Sequence, residues 1–325
     1  MRELGSFIEM DFRDAPGYYE GENVLALNTA RASIYHALTV MKLNTIHLPF
    51  YLCPSVEKFL LRKGITVNKY SISTAFEPID VNPKQDEAIL IVNYFGIISP
   101  VRLQSVIQRF ENVIVDNSQS FFTEPFENCY TVYSPRKFVG VPDGAYVIGK
   151  NVQLHSELLP QDFSSNHAAF LLKRVEYGSS AVYAERMKNE ERLDQSDLMR
   201  MSKLTQLLLK NIDYKNIRDK RLENFQFAHR LFKNINLLSS QIENIENLNP
   251  MVYPLMVENA ELVEKLNAKG IYTGRWWKDV LITVSKESFE AQLSTFMVPI
   301  PIDQRYGKEE LAYIKSQIDI ILSTN

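Results

Sequence analysis

The 325-residue chain has only two cysteines, Cys53 and Cys129. That is too few for a disulfide framework, and they lack metal-ligand spacing, so both read as core residues in a reducing compartment. No apolar run approaches the roughly 20 residues that cross a bilayer, and residues 1–6 lack the apolar centre of a signal peptide. A cytoplasmic protein is therefore expected. There is no GxxxxGK phosphate loop and no GxGxxG fingerprint. The five histidines, His36, His47, His155, His167 and His229, are scattered without paired spacing, so no metal site is expected. A formal net charge of -3 gives no drive toward nucleic acid or anionic membrane. Basic clusters such as Arg218-Asp219-Lys220-Arg221 are interrupted by acids and read as a solvated helix face. Nothing repeats, and no segment is of low complexity.

What the chain does contain is alternation of strand-like and helix-like segments. Its hydrophobic and charged fractions, 45% and 23%, are those of an ordinary globular protein long enough for a sizeable core. Residues 1–23 read as an irregular arm with aromatic anchors at Phe7, Phe12, Tyr18 and Tyr19. Strands are expected over 24–27, 45–49, 65–70, 88–92 and 113–116, the run Ala-Ile-Leu-Ile-Val at 88–92 being typical of a strand covered on both faces. Between them, Asn28 or Thr29 suits the N-cap of a helix over 30–41, and Pro54 and Pro100 suit the first turns of two more. Such alternation predicts a mostly parallel, doubly wound α/β sheet. From 152 to about 211 the pattern turns helical. A long helix over 214–233, with Ile217, Leu222, Phe225, Ala228 and Phe232 on one stripe, leads to a strand at 251–257. A helix at 260–268, strands near Ile271 and Leu281, and a last helix at 308–322 complete a smaller α/β unit.

The stretch that carries chemistry is 133–145, Tyr-Ser-Pro-Arg-Lys-Phe-Val-Gly-Val-Pro-Asp-Gly-Ala. It sets Lys137 on a loop between strand-like runs at 130–133 and 146–148. Flanking Phe138 and Val139 can strip part of the amine's hydration, which lowers its pKa and suits it to Schiff-base chemistry. Upstream, Asp116 ends the β-branched run 113–115, at a strand tip of the kind where open α/β sheets bind ligands. A carboxylate there can keep a pyridine nitrogen protonated, so Asp116 and Lys137 are a candidate pair. Ser134 to Lys137 also matches the serine-lysine pattern of penicillin-recognising acyl enzymes. The partner Lys-Thr-Gly is missing, however, and the motif lies between strands instead of opening a helix.

Three segments, Ala26-Leu27-Asn28-Thr29-Ala30-Arg31-Ala32-Ser33-Ile34, Val115-Asp116-Asn117-Ser118-Gln119 and 134–145, resemble the DegT/DnrJ/EryC1/StrS sugar aminotransferase family. A fourth, Met297-Val298-Pro299-Ile300-Pro301 with the helix after it, is similar to that family's closing strand and helix. The resemblance runs in order over most of the chain. It implies the pyridoxal-phosphate-dependent transferase fold of type I, with a large cofactor domain and its N-terminal arm over 1–211 and a linking helix and small domain over 212–325.

By the same resemblance the cofactor is pyridoxal 5'-phosphate and Lys137 is the catalytic residue. Asp116 faces the ring nitrogen, and Gln119 contacts the ring or its hydroxyl. Ser134 and the helix start at Ala30 and Arg31 hold the phosphate, and Tyr51, or Phe50, stacks on the ring. Arg275 would bind a substrate carboxylate or phosphate and Trp276 a substrate ring. Two departures stand out: Ala30 and Arg31 replace the family's glycine-threonine pair, and the histidine that many members carry within 270–277 is absent. The implied activity is transfer of an amino group to a keto-sugar on a nucleotide carrier, by a homodimer acting on a small molecule. The same fold and lysine serve sugar dehydratases and lyases, and a non-catalytic binding protein of this fold is a further alternative.

Overall fold

A computed structural model describes residues 5–324. The first strand, β1 (Val24–Leu27), leads into α1 (Ala30–Met41). Thr29 caps that helix, its Oγ1 accepting from the Ala32 N–H at 3.3 Å, and Lys42 closes it in the left-handed region. There follow β2 (Thr45–Pro49), α2 (Pro54–Arg62), β3 (Thr66–Ile72), the short β4 (Pro78–Ile79), β5 (Ala88–Val92), α3 (Pro100–Ile107) and β6 (Val113–Asp116). Pro54 and Pro100 each sit in a first helical turn, where the missing N–H costs nothing. Then come β7 (Tyr130–Tyr133) and β8 (Ala145–Ile148).

These eight strands form one sheet in the order β1-β8-β7-β6-β5-β2-β3-β4. The central pairs β3–β2, β2–β5, β5–β6 and β6–β7 are parallel, while β7–β8, β8–β1 and β3–β4 are antiparallel. The mostly parallel sheet expected from the sequence is therefore present. Every residue of β5 and β6 is buried, as layers on both faces demand.

Beyond the sheet lie α4 (Ala169–Ala181), α5 (Tyr183–Gln195), α6 (Lys203–Lys210) and the long α7 (Tyr214–Phe232). The remainder is β9 (Val252–Met256), α8 (Leu262–Ala268), α9 (Val280–Thr283), α10 (Phe289–Phe296), β10 (Met297–Pro301) and α11 (Lys308–Ser323). An antiparallel pair, β9 with β10, makes the second sheet. The strands expected near Ile271 and Leu281 do not form. Ile271 is buried, but its segment runs as a loop tied by Thr273, whose N–H reaches Asn267 Oδ1 at 2.9 Å and whose hydroxyl reaches the Pro299 carbonyl at 3.1 Å. Leu281 lies on the single turn of α9.

The buried face of α7 carries Ile217, Phe225, Ala228 and Phe232, as the periodicity predicts, but also Arg221 and Asn224. One apolar core joins both sheets, running from Leu48 and Ile91 to Tyr253 and Ile300. A second gathers Phe121, Tyr133, Phe138, Met201 and Ile217. The arm contributes to it through Tyr18 and Tyr19, which pack on Phe121 and Tyr133 of the same chain, whereas Phe7 is 90% exposed.

At the tip of β5 the backbone turns through Phe95 and Gly96, both at positive φ. Gln119 Oε1 accepts from the Phe95 N–H at 2.8 Å, and the Phe95 carbonyl accepts from the Met251 N–H at 2.9 Å. A Cβ on Gly96 would lie 2.5 Å from the Asn249 carbonyl and 2.6 Å from that of Gln119. Gly96→Ala must therefore lower the midpoint of thermal unfolding, a cost of about 2 kcal/mol or more from backbone strain alone. An unchanged melting curve would contradict this packing.

Candidate active site

Asp116 is the last residue of β6 and pairs in register with Val132 of β7. Beyond Tyr133, β7 gives way to Ser134 and a single 3-10 turn, Pro135–Lys137. The carboxylate and the lysine thus leave adjacent parallel strands at the same C-terminal edge of the sheet, where such sheets bind ligands. Asp116 is buried, and its Oδ1 accepts from the Ser118 N–H at 2.8 Å. Around this edge Asn93 donates to Asn117 Oδ1 at 3.1 Å. Asn93 Oδ1, Asn117 Nδ2, Ser118 Oγ and Tyr51 Oη are buried without a partner. Native interiors leave few such atoms, so a group of them at one strand edge marks a polar seat.

Lys137 itself is exposed, while Phe138 and Val139 beside it are buried. The expected desolvation of its amine is absent in the single chain, because the 3-10 turn sends its neighbours inward and the lysine outward. The loop is nevertheless firmly held. Asp143 accepts from the Ser202 N–H at 2.8 Å, from Ser202 Oγ at 2.6 Å and from Thr205 Oγ1. Gly144 donates its N–H to the Asn28 carbonyl at 2.7 Å. The Phe138 carbonyl accepts from Gln304 Nε2 at 3.0 Å and from Arg221 Nη2 at 3.5 Å. Arg221 also stacks on the Phe138 ring at 4.6 Å, and burial pulls its pKa down to about 10 against the charge of nearby Asp303.

The remaining candidates divide. Ser134 is buried at the start of the lysine turn, and Ala30 and Arg31 open α1. Arg31 Nη1 meets Asp194 at 2.9 Å, and Arg136 Nη2 meets Glu190 at 2.5 Å. Tyr51 lies fully buried, edge-on to Trp277 at 4.5 Å, and burial raises its pKa. In this form it packs under a tryptophan, so no ring face is open for stacking. Gln119 commits its carbonyl to the Phe95 turn.

Arg275 departs from the expected substrate role: its guanidinium is taken by Glu264 at 2.8 Å and by the carbonyls of Ala260 and Thr295. Trp276 stacks on Phe95 at 5.6 Å. From the same segment it is Tyr272, Thr273 and Gly274 that line an open groove of about 1020 Å³, opposite Arg174 and Arg186. That groove is continuous in the chain with residues that touch the lysine loop: Phe170, which lines it, precedes Leu171, 3.7 Å from a Cβ built on Gly140, and Arg305, which also lines it, follows the Gln304 that holds Phe138. Arg136, Arg174, Asp143 and Gln304 were not singled out from the sequence. Only the proximity of Arg136 to Lys137 could have signalled any of them.

No protein-family model and no curated protein matches the chain. Solved structures do. PseC of Helicobacter pylori, an aminotransferase involved in the biosynthesis of pseudoaminic acid, superposes with a TM-score of 0.61 at 13% identity, covering 93% of this chain and 87% of that one. A DegT DnrJ EryC1 StrS aminotransferase from Brucella abortus gives 0.61 at 13%, covering 92% and 85%. The chain has the fold of these aminotransferases. NtdA from Bacillus subtilis, solved with bound cofactor PMP, aligns at 0.66 and 14% identity, over 92% of this chain and 73% of its own.

Pyridoxal 5'-phosphate asks of a site an amine, a carboxylate for its ring nitrogen, and cations or free N–H groups for its phosphate. Lys137 and Asp116 supply the first two. The α1 start, with Arg31 and Arg136, supplies the third, and the unpartnered polar atoms of Asn93, Asn117, Ser118 and Tyr51 leave room for further hydrogen bonds. The residues present fit the group.

Two outcomes follow. Asp143→Ala strands the buried Ser202 N–H and Thr205 hydroxyl and leaves the Ser202 hydroxyl only Ser164 to donate to, so unfolding should become easier by about 2 kcal/mol or more; a loss below about 1 kcal/mol would show that the loop is held otherwise. Burial pushes the Asp303 carboxyl up, but the hydrogen bonds from Arg305 and the charges of Arg305 and Arg221 together outweigh it and leave it below its ordinary value. Its stabilisation is therefore complete above the unfolded pKa of about 3.9 and is lost as pH falls through the lower folded value. Asp303→Asn should flatten the acid limb of a pH-stability curve, and an unaltered limb would refute the assignment.

Proposed function

We propose that the protein is a pyridoxal-phosphate-dependent aminotransferase that aminates a keto-sugar on a nucleotide carrier. The observation that carries the reading is the placement of Asp116 and Lys137 on neighbouring strand ends at one edge, among buried polar atoms without partners. When bound, the cofactor would supply an electron sink for the carbon that loses its proton. The Asp116 carboxylate would hold a proton on the ring nitrogen. Lys137 Nζ would be the covalent anchor and, once displaced by an amino donor, the base that carries the proton between carbons. Asp143, Arg221 and Gln304 position that amine by fixing the loop at both ends. The neighbouring groove, with Arg174, Arg186, Tyr183 and Tyr272, offers cations and aromatic faces to a phosphorylated carrier.

A homodimer completes the reading. Phe7 and Ile8, each 90% exposed, and Val175, 87% exposed, are apolar surface that a second copy would cover. Among the described residues no helix is long and apolar enough to cross a membrane. The two cysteines are both unpaired, and it is this that supports the proposed cytoplasmic location.

Purified protein should absorb visible light, and borohydride followed by peptide mapping should mark Lys137. Lys137→Ala should lower turnover by roughly 10³-fold or more without altering the fold. Colourless protein that takes up no cofactor would favour the non-catalytic alternative, and a label on another lysine would move the site. Light scattering at micromolar concentration checks the dimer, and a monomer with full turnover would eliminate it.

A further inference from the structure

The arginines at the α1 start have a geometry that their ion pairs do not account for. The Arg31 side chain is only 10% exposed, and it meets Asp194 through Nη1 alone. Its Nε and Nη2, the two nitrogens of the guanidinium edge that grips an oxyanion in a fork, are buried and bonded to nothing. Arg136 differs: its Nη2, one nitrogen of that edge, is held by Glu190, and its buried Nε is without a partner. Both acids stand on one face of α5, four residues apart, and Asp194 is 60% exposed, so its hold on Arg31 is a screened, weak one. The two guanidiniums are close enough for the charge of Arg136 to depress the pKa of Arg31, in addition to the larger effect of burial. An arginine placed only to bind Asp194 would turn its fork to that carboxylate. Here the Arg31 fork, in the first turn of a 12-residue helix, faces no protein acceptor, and neither does the Arg136 Nε, one residue before Lys137.

We infer that Arg31 and Arg136 form a guanidinium clamp for a phosphate monoester, with charge and fork geometry replacing the hydroxyl that this position lacks. The inference rests on the proposed function for the identity of its ligand, the cofactor phosphate. Asp194 orients Arg31 from behind and leaves its Nε–Nη2 edge open, while Glu190 holds Arg136 by Nη2 and leaves its Nε. The clamp makes phosphate the main handle on the cofactor, so the protein should bind pyridoxal 5'-phosphate far more tightly than pyridoxal, and inorganic phosphate should compete.

The test is an absorbance titration of the full-length, cofactor-stripped protein with pyridoxal 5'-phosphate and with pyridoxal. A parallel arm adds inorganic phosphate alone, read by ³¹P line broadening. Arg31→Gln and Arg136→Gln should each weaken pyridoxal 5'-phosphate at least about tenfold while leaving pyridoxal unchanged, and should abolish the phosphate broadening. Arg31→Lys, which keeps the charge and the Asp194 pair but not the fork, should fall between, and guards against a glutamine variant that fails to fold. Equal losses for both compounds, or an undiminished preference for the phosphorylated one, would overturn the clamp while leaving the aminotransferase reading intact. Wild-type protein that broadens the phosphate signal yet binds neither pyridoxal compound would sink the function and keep the clamp. If it binds none of the three, both fall.

Discussion

Asp143 is fully buried, and among the described residues no ion pair reaches it; its oxygens are satisfied by the Ser202 N–H, the Ser202 hydroxyl and the Thr205 hydroxyl. Taking a carboxylate out of water costs several kcal/mol, which these donors must offset. The result is a fixed point from which the surroundings hang. Ser202 caps α6, the Met201 N–H reaches the Ala26 carbonyl of β1, and Gly144, next to Asp143, donates to Asn28 just before α1. The lysine loop, the helix start at Ala30 and the segment before α6 thus share one anchor. A Cβ on Gly144 would come within 3.1 Å of Met201 and Thr205, so even the backbone of the loop is fitted to α6.

Much of this architecture is legible in the sequence because its signals are local. The continuous apolar run at 88–92, the prolines at 54 and 100 and the cap at Thr29 each act within one turn or one strand, and the structure has β5, α2, α3 and α1 where they say. The small unit was harder to read. Ile271 and Leu281 look like strand residues by hydrophobicity, yet the second sheet has only β9 and β10, and burial of a side chain needs no paired backbone. The kink inside α4 likewise turns on Gly178, whose positive φ gives no periodic signal.

At the site, what could be read was residue type at a strand tip: Asp116 after a β-branched run and Lys137 after the next strand. What could not be read was orientation. Arg275 sits among aromatics in the sequence, but folding brings Glu264 within 2.8 Å and two carbonyls around it, and those contacts decide its direction. Tyr51 is likewise claimed by Trp277, which lies 226 positions away in the chain. Arg136, Glu190 and Asp194 come together only because α5 returns over the first turn of α1, a tertiary event with no local mark.

The clamp on the Phe138 carbonyl has a consequence for the order of events in the cell. Its donors, Arg221 and Gln304, lie 83 and 166 residues downstream of it. A chain emerging from the ribosome can assemble β1 to β8 long before Gln304 is made, since every strand of the large sheet precedes residue 149. Until then the lysine loop has its Asp143 end available but its Phe138 end unfinished. The geometry of the lysine loop is accordingly among the last features to mature, and a ribosome that stops short of Gln304 releases a sheet that is complete and a lysine loop that is not yet set.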